Sequence, residues 1–265
     1  MKFKRRAVAL IVCAALTAAG LYWCIAGNTS GGTIYTRAAG VKSDAAIMTI
    51  SGTDVPADLY LYWVATDCDY LMQYFGDDID WSSEISSGTT YQQYVFDDAE
   101  TTCKYCVAID KLTQQYGCTL TEDQETELAG LHDTYVEHYD GEETYEKYIT
   151  YYGLTEDDMV YTAKVNYLFN NLSDTLMAKG GELEPTEAAV REWAKNSGYS
   201  SDDYTLDEMT TAYKDSSSGA MNDFISAYIS TLEVTHSPAY DKLNLTDFLK
   251  AADEERSQVE DPTAG

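Results

Sequence analysis

The segment with the clearest potential for chemistry is CKYC, at residues 103–106. A Cys-x-x-Cys pair at the N-terminus of a helix can act in redox reactions, because the helix dipole lowers the pKa of a thiol. Here the pair lies inside a predicted helix, on an apolar stripe that also contains Tyr94 and Val95. A thiol on such a stripe behaves as a small hydrophobic side chain. We therefore expect Cys103 and Cys106 to have a structural role rather than a role in redox catalysis or metal binding.

Two of the six cysteines, Cys13 and Cys24, belong to an apolar N-terminal run. The other four follow it, and they are Cys68, Cys103, Cys106 and Cys118. An exported domain permits disulfides, so Cys68 could form a bridge with Cys103 or Cys106 that joins two helices. Buried free thiols are the alternative.

The histidines and carboxylates predict no metal centre. His132 and His138 are six residues apart and lie on different faces of one predicted helix, whereas a zinc pair on a helix is spaced by three or four residues. The acidic runs at 122–127 and 156–158 fall in first helical turns, where the helix dipole favours them. No hydrolase G-x-S-x-G, zinc-protease H-E-x-x-H, P-loop or EF-hand motif occurs in the sequence. We expect no catalytic, cofactor-binding or metal-binding residue, and no cofactor.

The charge of the chain excludes several classes of partner. It has 265 residues with 45 acidic and 17 basic side chains. Four of the basic residues precede residue 7, so the remainder carries 13 basic against 45 acidic side chains, or about −32. Such a surface does not neutralise nucleic-acid phosphates or dock flat on anionic lipid. The 23 tyrosines can pack their rings while their hydroxyls stay in water.

The N-terminus predicts export and anchoring. Residues 1–6 are basic and predict a cytoplasmic segment, and residues 7–27 are 21 residues without a charge, long enough to span a bilayer. We predict a single-pass transmembrane anchor rather than a cleaved signal peptide. Residues 28–45 then form a flexible stalk, and the remainder lies outside the cell membrane of a Gram-positive-type bacterium.

The remaining pattern predicts an all-α domain. One short strand candidate spans 47–51, a turn follows at Gly52 and Thr53, and Pro56 marks the start of the first helix. No alternating series supports a sheet. Helices are expected at about 59–75, 90–116, 121–135, 141–152, 155–179, 184–196, 220–234 and 246–255, with 205–219 undecided between helix and loop.

Four segments together resemble the helical chaperone domain of SurA/PrsA-type extracytoplasmic foldases. They are AIMTISGTDVPADLYLYWV at 46–64, GCTLTEDQETEL at 117–128, YEKYITYYGLTEDDMV at 145–160 and LEPTEAAVREWAKN at 183–196. Their order carries the resemblance, which covers about 45–196 and continues more weakly over 205–245. In those foldases a parvulin isomerase domain follows the last of these helices. Here only residues 197–219 stand in that place, which is too short for such a domain.

The resemblance implies a discontinuous helical chaperone domain over 46–250, with the 220–234 helix closing on the N-terminal helices, followed by a polar tail at 251–265. It implies binding of unfolded or extended segments of secreted or membrane-surface proteins without isomerase activity. The acidic rim favours basic clients. The candidate client-binding residues are Tyr60, Trp63, Tyr70, Tyr74, Tyr145, Tyr148, Tyr151, Tyr152 and Trp193. A degenerate prolyl isomerase and a cell-envelope assembly module with one dedicated partner are the alternatives.

Overall fold

The computed structural model describes residues 32–200, 203–216, 218–260 and 262. It is 64% helical and 8% strand, so the prediction of a mainly helical domain is confirmed in broad terms. The predicted cytoplasmic segment at 1–6 and the anchor at 7–27 lie outside the described residues. Within the described ranges, no helix combines the length and the apolar character that a membrane span requires.

The described elements follow one another in chain order as follows. The helices are α1 Ile34–Ala38, α2 Ala57–Phe75, α3 Tyr91–Tyr116, α4 Glu122–Ala129, α5 Leu131–His138, α6 Glu142–Tyr152, α7 Glu156–Met177, α8 Glu187–Asn196, α9 Leu206–Ser216, α10 Ser218–Ile229 and α11 Leu245–Arg256, with a 3₁₀ turn at Tyr240–Lys242. The strands are β1 Ala46–Ile50, β2 Thr53–Pro56, β3 Glu84–Ser86, β4 Thr89–Thr90 and β5 Val234–His236.

The opening segment forms a tight hairpin. Strands β1 and β2 pair antiparallel with Ile50 opposite Thr53, so Ser51 and Gly52 alone make the turn. Both have positive φ, 46° and 84°, as the two-residue turns that match strand twist require. The predicted strand is therefore present, but the turn lies one residue earlier than predicted, because Thr53 already belongs to β2.

The strand is not isolated, which corrects the prediction of a single strand. β5 pairs antiparallel with the other side of β1, giving a three-stranded sheet in the order β2-β1-β5. A second, two-stranded sheet is formed by β3 and β4. Because β5 has three residues and lies far along the chain from β1, no local alternation of side chains could announce this pairing.

The prediction of a flexible stalk over 28–45 is wrong for its described part. Thr33 caps α1 through its side chain, and Ile34 is completely buried. α1 packs against α2 and α11, and Arg37 Nε donates to Glu255 Oε2 at 2.7 Å. The Gly-, Ser- and Thr-rich composition suggested a linker, but the short IYTRA run inside it supplies apolar side chains to the core.

The described chain divides into two compact units. Unit 1 comprises 32–107, 121–166 and 232–260, and its main core includes Tyr60, Leu61, Val64 and Cys103. A smaller cluster in the same unit is formed by Tyr145, Ile149 and Met159.

Unit 2 comprises 108–120, 167–200 and the described part of 203–231. One of its apolar clusters contains Val190, Ala194 and Met209. Helix α9 settles the undecided segment at 205–219 as largely helical.

Unit 1 is discontinuous in the sequence, but the segment that returns to it is not the one that the resemblance implied. Helix α10, which overlaps the predicted 220–234 helix, belongs to unit 2. The chain re-enters unit 1 at 232–260, where β5 joins the sheet and α11 packs on α1. The predicted boundary between domain and tail at residue 250 is also wrong, because α11 continues to Arg256 and buries Ala252.

Candidate functional site

A cluster of aromatic rings lies where helix α2 ends and helix α3 begins. We call it the aromatic surface, and its members are Tyr70, Tyr74, Phe75, Trp81, Tyr91 and Tyr94. The rings of Tyr70 and Tyr74 are 4.8 Å apart, and that of Phe75 is 5.7 Å from Tyr91. Tyr74 and Phe75 are 69% and 58% exposed. Adjacent aromatic rings with this exposure are more typical of contact surfaces than of a monomer's ordinary exterior.

Local backbone geometry holds this surface in place. Gly76 ends α2 with φ 85° and donates its amide to Met72 O at 2.8 Å. The loop that follows is tied down because Trp81 is buried and its carbonyl accepts from the amide of Gln92 at 2.9 Å. The Tyr91 amide donates to Ser83 O at 3.0 Å. The exposed rings therefore project from an ordered framework.

The aromatic surface has an acidic border. Asp77, Asp78 and Asp80 follow the exposed rings directly and are themselves exposed. The Ser82 hydroxyl and amide both donate to Asp80, at 2.6 and 3.0 Å. These hydrogen bonds hold the pKa of Asp80 below its usual value, so its charge persists at mildly acidic pH.

A second group of rings lies on helix α6. The ring of Tyr148 is 4.4 Å from Tyr139 and 4.5 Å from Tyr152, and Tyr151 is 5.2 Å from Tyr152. Burial raises the pKa of Tyr148 to about 12. The Arg256 guanidinium lies 5.6 Å from the Tyr151 ring centre, a distance typical of a cation–π contact. These rings are half-buried and more tightly packed than Tyr74 and Phe75.

The structure separates the predicted client-binding residues. Tyr60, Trp63 and Tyr145 belong to the core of unit 1, so they are not available to a client in this structure. Tyr70 and Tyr74 form one group and the helix α6 tyrosines another. Trp193 lies in unit 2, where its ring is 5.1 Å from Tyr199 and 5.8 Å from Tyr213. The predicted set therefore does not form a single lining.

Sequence reasoning missed Phe75, Trp81, Tyr91 and Tyr94. The available signal was Phe75 itself, a large apolar residue immediately before the helix-ending Gly76 and the acidic run at 77–80. Trp81 carries no such signal, because its position depends on the fold of the loop.

The four described cysteines are free thiols. No disulfide therefore joins Cys68 to Cys103 or Cys106 in this structure. Burial raises the pKa of Cys68 and Cys103 well above the usual value, which leaves them protonated and unreactive. Cys118 is partly exposed, and its thiol lies 3.3 Å from the Thr175 hydroxyl.

Among the described residues, no group of three or more metal-ligating side chains is close enough to hold an ion. Two of the three histidines contact carboxylates. His132 lies 3.3 Å from Glu142 and 3.4 Å from Glu156, and His236 lies 2.6 Å from Glu100.

Several buried carboxyl groups accompany these surfaces in unit 1. Asp58, in the first turn of α2, lies near enough to Asp158, in the first turn of α7, to oppose its ionisation, and the charge of Asp157 opposes the ionisation of both. Burial is the main cause that raises the pKa of Asp58 to about 6. Burial, followed by the charge of Asp58, raises the pKa of Asp158 to about 7.

A second pair of neighbouring carboxyl groups is formed by Asp67 on α2 and Asp98 on α3. Burial raises the pKa of Asp98 to about 6, and burial together with the charge of Asp98 raises that of Asp67 well above its usual value. Asp67 follows Trp63 and precedes Leu71 at four-residue spacing, so its place on an apolar stripe was the signal that sequence reasoning overlooked. Such pairs can share protons.

The chain matches no protein-family model, no curated protein and no solved structure. Its function is therefore inferred from these surfaces and from the resemblance seen in the sequence.

Proposed function

We propose that this protein is a membrane-anchored extracytoplasmic chaperone of the SurA/PrsA foldase type that lacks prolyl isomerase activity. Its clients are unfolded or extended segments of secreted proteins. The observation that carries the proposal is the aromatic surface, where Tyr74 and Phe75 stand exposed on an ordered framework beside Asp77 and Asp78.

The chemistry of this surface suits unfolded clients. Aromatic rings offer a large apolar contact area with few rotatable bonds, so they lose little conformational entropy when they bind. An unfolded chain exposes apolar side chains that would otherwise aggregate. The acidic border and the net charge of −28 attract clients that are also basic, and this attraction weakens as salt screens it.

The proposed location follows from the sequence. Residues 7–27 would anchor the chain in the membrane and hold unit 1 outside the cell, near polypeptides that emerge from a secretion channel. A prolyl isomerase function is less well supported, because only residues 197–219 stand where the foldases carry their isomerase domain.

The proposal is tested with the full chain in lipid nanodiscs. A chemically unfolded secretory protein is diluted into buffer with increasing amounts of the nanodiscs, and light scattering reports its aggregation. We expect suppression that saturates near one chain per client molecule. Substituting Tyr74→Ser and Phe75→Ser together should remove most of the suppression, because these are the most exposed rings of the surface.

Two controls sharpen the test. The matched variant Tyr204→Ser removes a ring that is 44% exposed in unit 2 and should leave suppression unchanged. The rate of a proline-limited refolding reaction should not rise at catalytic amounts of the chain. Absence of suppression at several-fold excess would refute the chaperone assignment, and accelerated refolding would refute the absence of isomerase activity.

A further inference from the structure

The outer strand of the three-stranded sheet presents main-chain groups toward open space. In the antiparallel pair of β1 and β5, Met48 lies opposite His236, Thr49 opposite Thr235 and Ile50 opposite Val234. Bonds from the Ser51 amide to Glu233 O at 2.8 Å and from the Ser237 amide to Ile47 O at 3.0 Å flank this pairing.

These flanking bonds fix which groups point outward. Hydrogen-bonded and non-bonded pairs alternate along an antiparallel ladder, so Thr235 directs its N–H and C=O toward β1. Val234 and His236 must direct theirs away from it. Among the described residues, no hydrogen bond to the main-chain groups of Val234 or His236 is found. Two donors and two acceptors are therefore spaced along the edge as a further strand requires.

The other edge of the sheet is less suitable. β2 has four residues and ends at Pro56, which has no amide hydrogen, and it continues directly into α2. Strand β5 is instead followed by the half-buried Ser237 and the exposed Pro238, and Thr235 and His236 are themselves exposed.

The charges near β5 select the occupant. Glu233 and Asp241 are exposed, and Asp97, Glu100 and Asp241 all act on the Tyr240 hydroxyl, raising its pKa after burial as the main cause. His236 stacks on Tyr240 with ring centres 3.8 Å apart. Glu100 already contacts both His236 and Lys104. Asp97 and Glu233 are exposed to solvent.

We infer that β5 is the docking edge for an extended cationic segment of the client, which adds to the sheet as a fourth strand. The inference rests on the proposed function and specifies how the chaperone binds the main chain of its client. Main-chain bonding gives tolerance of client sequence, since every residue except proline carries the same donor and acceptor. Pairing of two copies through this edge is disfavoured, because each copy brings a net charge of −28.

The test uses the full chain in nanodiscs and a fluorescein-labelled synthetic peptide in which lysine and valine alternate, followed by fluorescence anisotropy. Val234→Pro removes one outward N–H and places a ring where the new strand would lie. We expect peptide affinity to fall about 10-fold or more. The control Thr235→Val keeps every main-chain group and should bind within about 2-fold of the original chain.

A second measurement does not depend on how the variant folds. Two peptides carry N-methyl groups on alternate residues, one on the odd and one on the even positions. Because only alternate amides of an added strand face β5, one peptide should bind like the parent and the other should lose binding. Equal affinity of the two methylated peptides would overturn the inference, as would a dimer seen by sedimentation that Val234→Pro dissociates.

The outcomes separate this inference from the proposed function. Suppression of aggregation that survives Val234→Pro, with no effect of methylation, would refute the docking edge and leave the chaperone assignment standing. Peptide binding that shows the alternate methylation pattern without suppression of aggregation would refute the chaperone assignment and support the edge.

Discussion

The buried pair Asp58 and Asp158 predicts that this protein becomes less stable as pH rises toward 8. The pKa of Asp158 is raised from 3.8 to about 7, so the folded state favours the protonated carboxyl more than the unfolded chain does. A raised pKa contributes stability that is fully present below the unfolded value and is lost as pH rises through the folded value. Asp158→Asn should therefore stabilise the protein in that range.

The magnitude follows from the same values. One pKa unit corresponds to about 1.4 kcal/mol. At pH 8, an isolated Asp158 would therefore lower the free energy of unfolding by about 4 kcal/mol. The side chain is only 6% exposed, but its ionisation is shared with Asp58, so we expect a gain of about 2 to 4 kcal/mol. At pH 5 the gain should fall to less than about half of this, because the folded carboxyl is then protonated.

Asparagine is a suitable replacement at this position. Asp158 Oδ2 accepts from the Thr155 hydroxyl at 2.6 Å, and the amide oxygen of asparagine can accept the same bond. The Asp158 backbone amide donates to Thr155 Oγ1 at 3.1 Å, and this capping bond does not depend on the side chain.

The assay is urea unfolding of the full chain in a mild detergent at pH 5, 6, 7 and 8, followed by near-ultraviolet circular dichroism. Asp123→Asn makes the same charge change at an exposed position in the first turn of α4, away from this pair, and should show little pH-dependent gain. Equal pH profiles for the two variants would refute the assignment of the effect to burial. A loss of stability for Asp158→Asn that is the same at every pH would refute it as well.

Three further outcomes are expected. Gly153→Ala should lower the free energy of unfolding by about 3 kcal/mol or more in urea, because φ is 65° and a Cβ would meet the Tyr35 ring at 2.5 Å. The control Gly40→Ala has a similar φ of 66° but nothing within 4 Å of the new Cβ. It should lower the free energy of unfolding by only about 1 to 2 kcal/mol. Ile34→Ala should cost about 2 to 5 kcal/mol, whereas a residue in a flexible stalk would cost nothing measurable. In the native chain, alkylation mapped by mass spectrometry should modify Cys118 before the three buried thiols of α2 and α3, and equal rates would contradict their burial.

Much of the helical pattern was readable because its signals are local. The capping box from Thr121 to Gln124 is present, and Gly153 ends α6 in the left-handed conformation. Local signals also predicted some helix boundaries wrongly. Gly130 divides the predicted 121–135 helix into α4 and α5, and α8 begins at Glu187, after the N-cap Thr186, rather than at about 184.

The candidate surfaces were less readable, because exposure is a property of the packed structure. Tyr60 and Tyr74 are both tyrosines on helix α2, yet one is completely buried and the other is 69% exposed. Helical spacing assigns residues to a face, but it does not say where along the helix the packing partners stop. Trp81, Tyr91 and Tyr94 could therefore not be chosen in advance as members of the aromatic surface.

By itself the sequence determined the acidic character, the helical class, most helix ends and the first strand, because each depends on composition or on residues within a few positions of one another. Only the tertiary structure decided that α1 belongs to the core, that β5 completes the sheet and that Asp58 and Asp158 share one buried site. These features join residues such as Thr49 and Thr235, or Arg37 and Glu255, that are far apart in the chain. Their contacts form only when the intervening helices fold, so no short pattern records them.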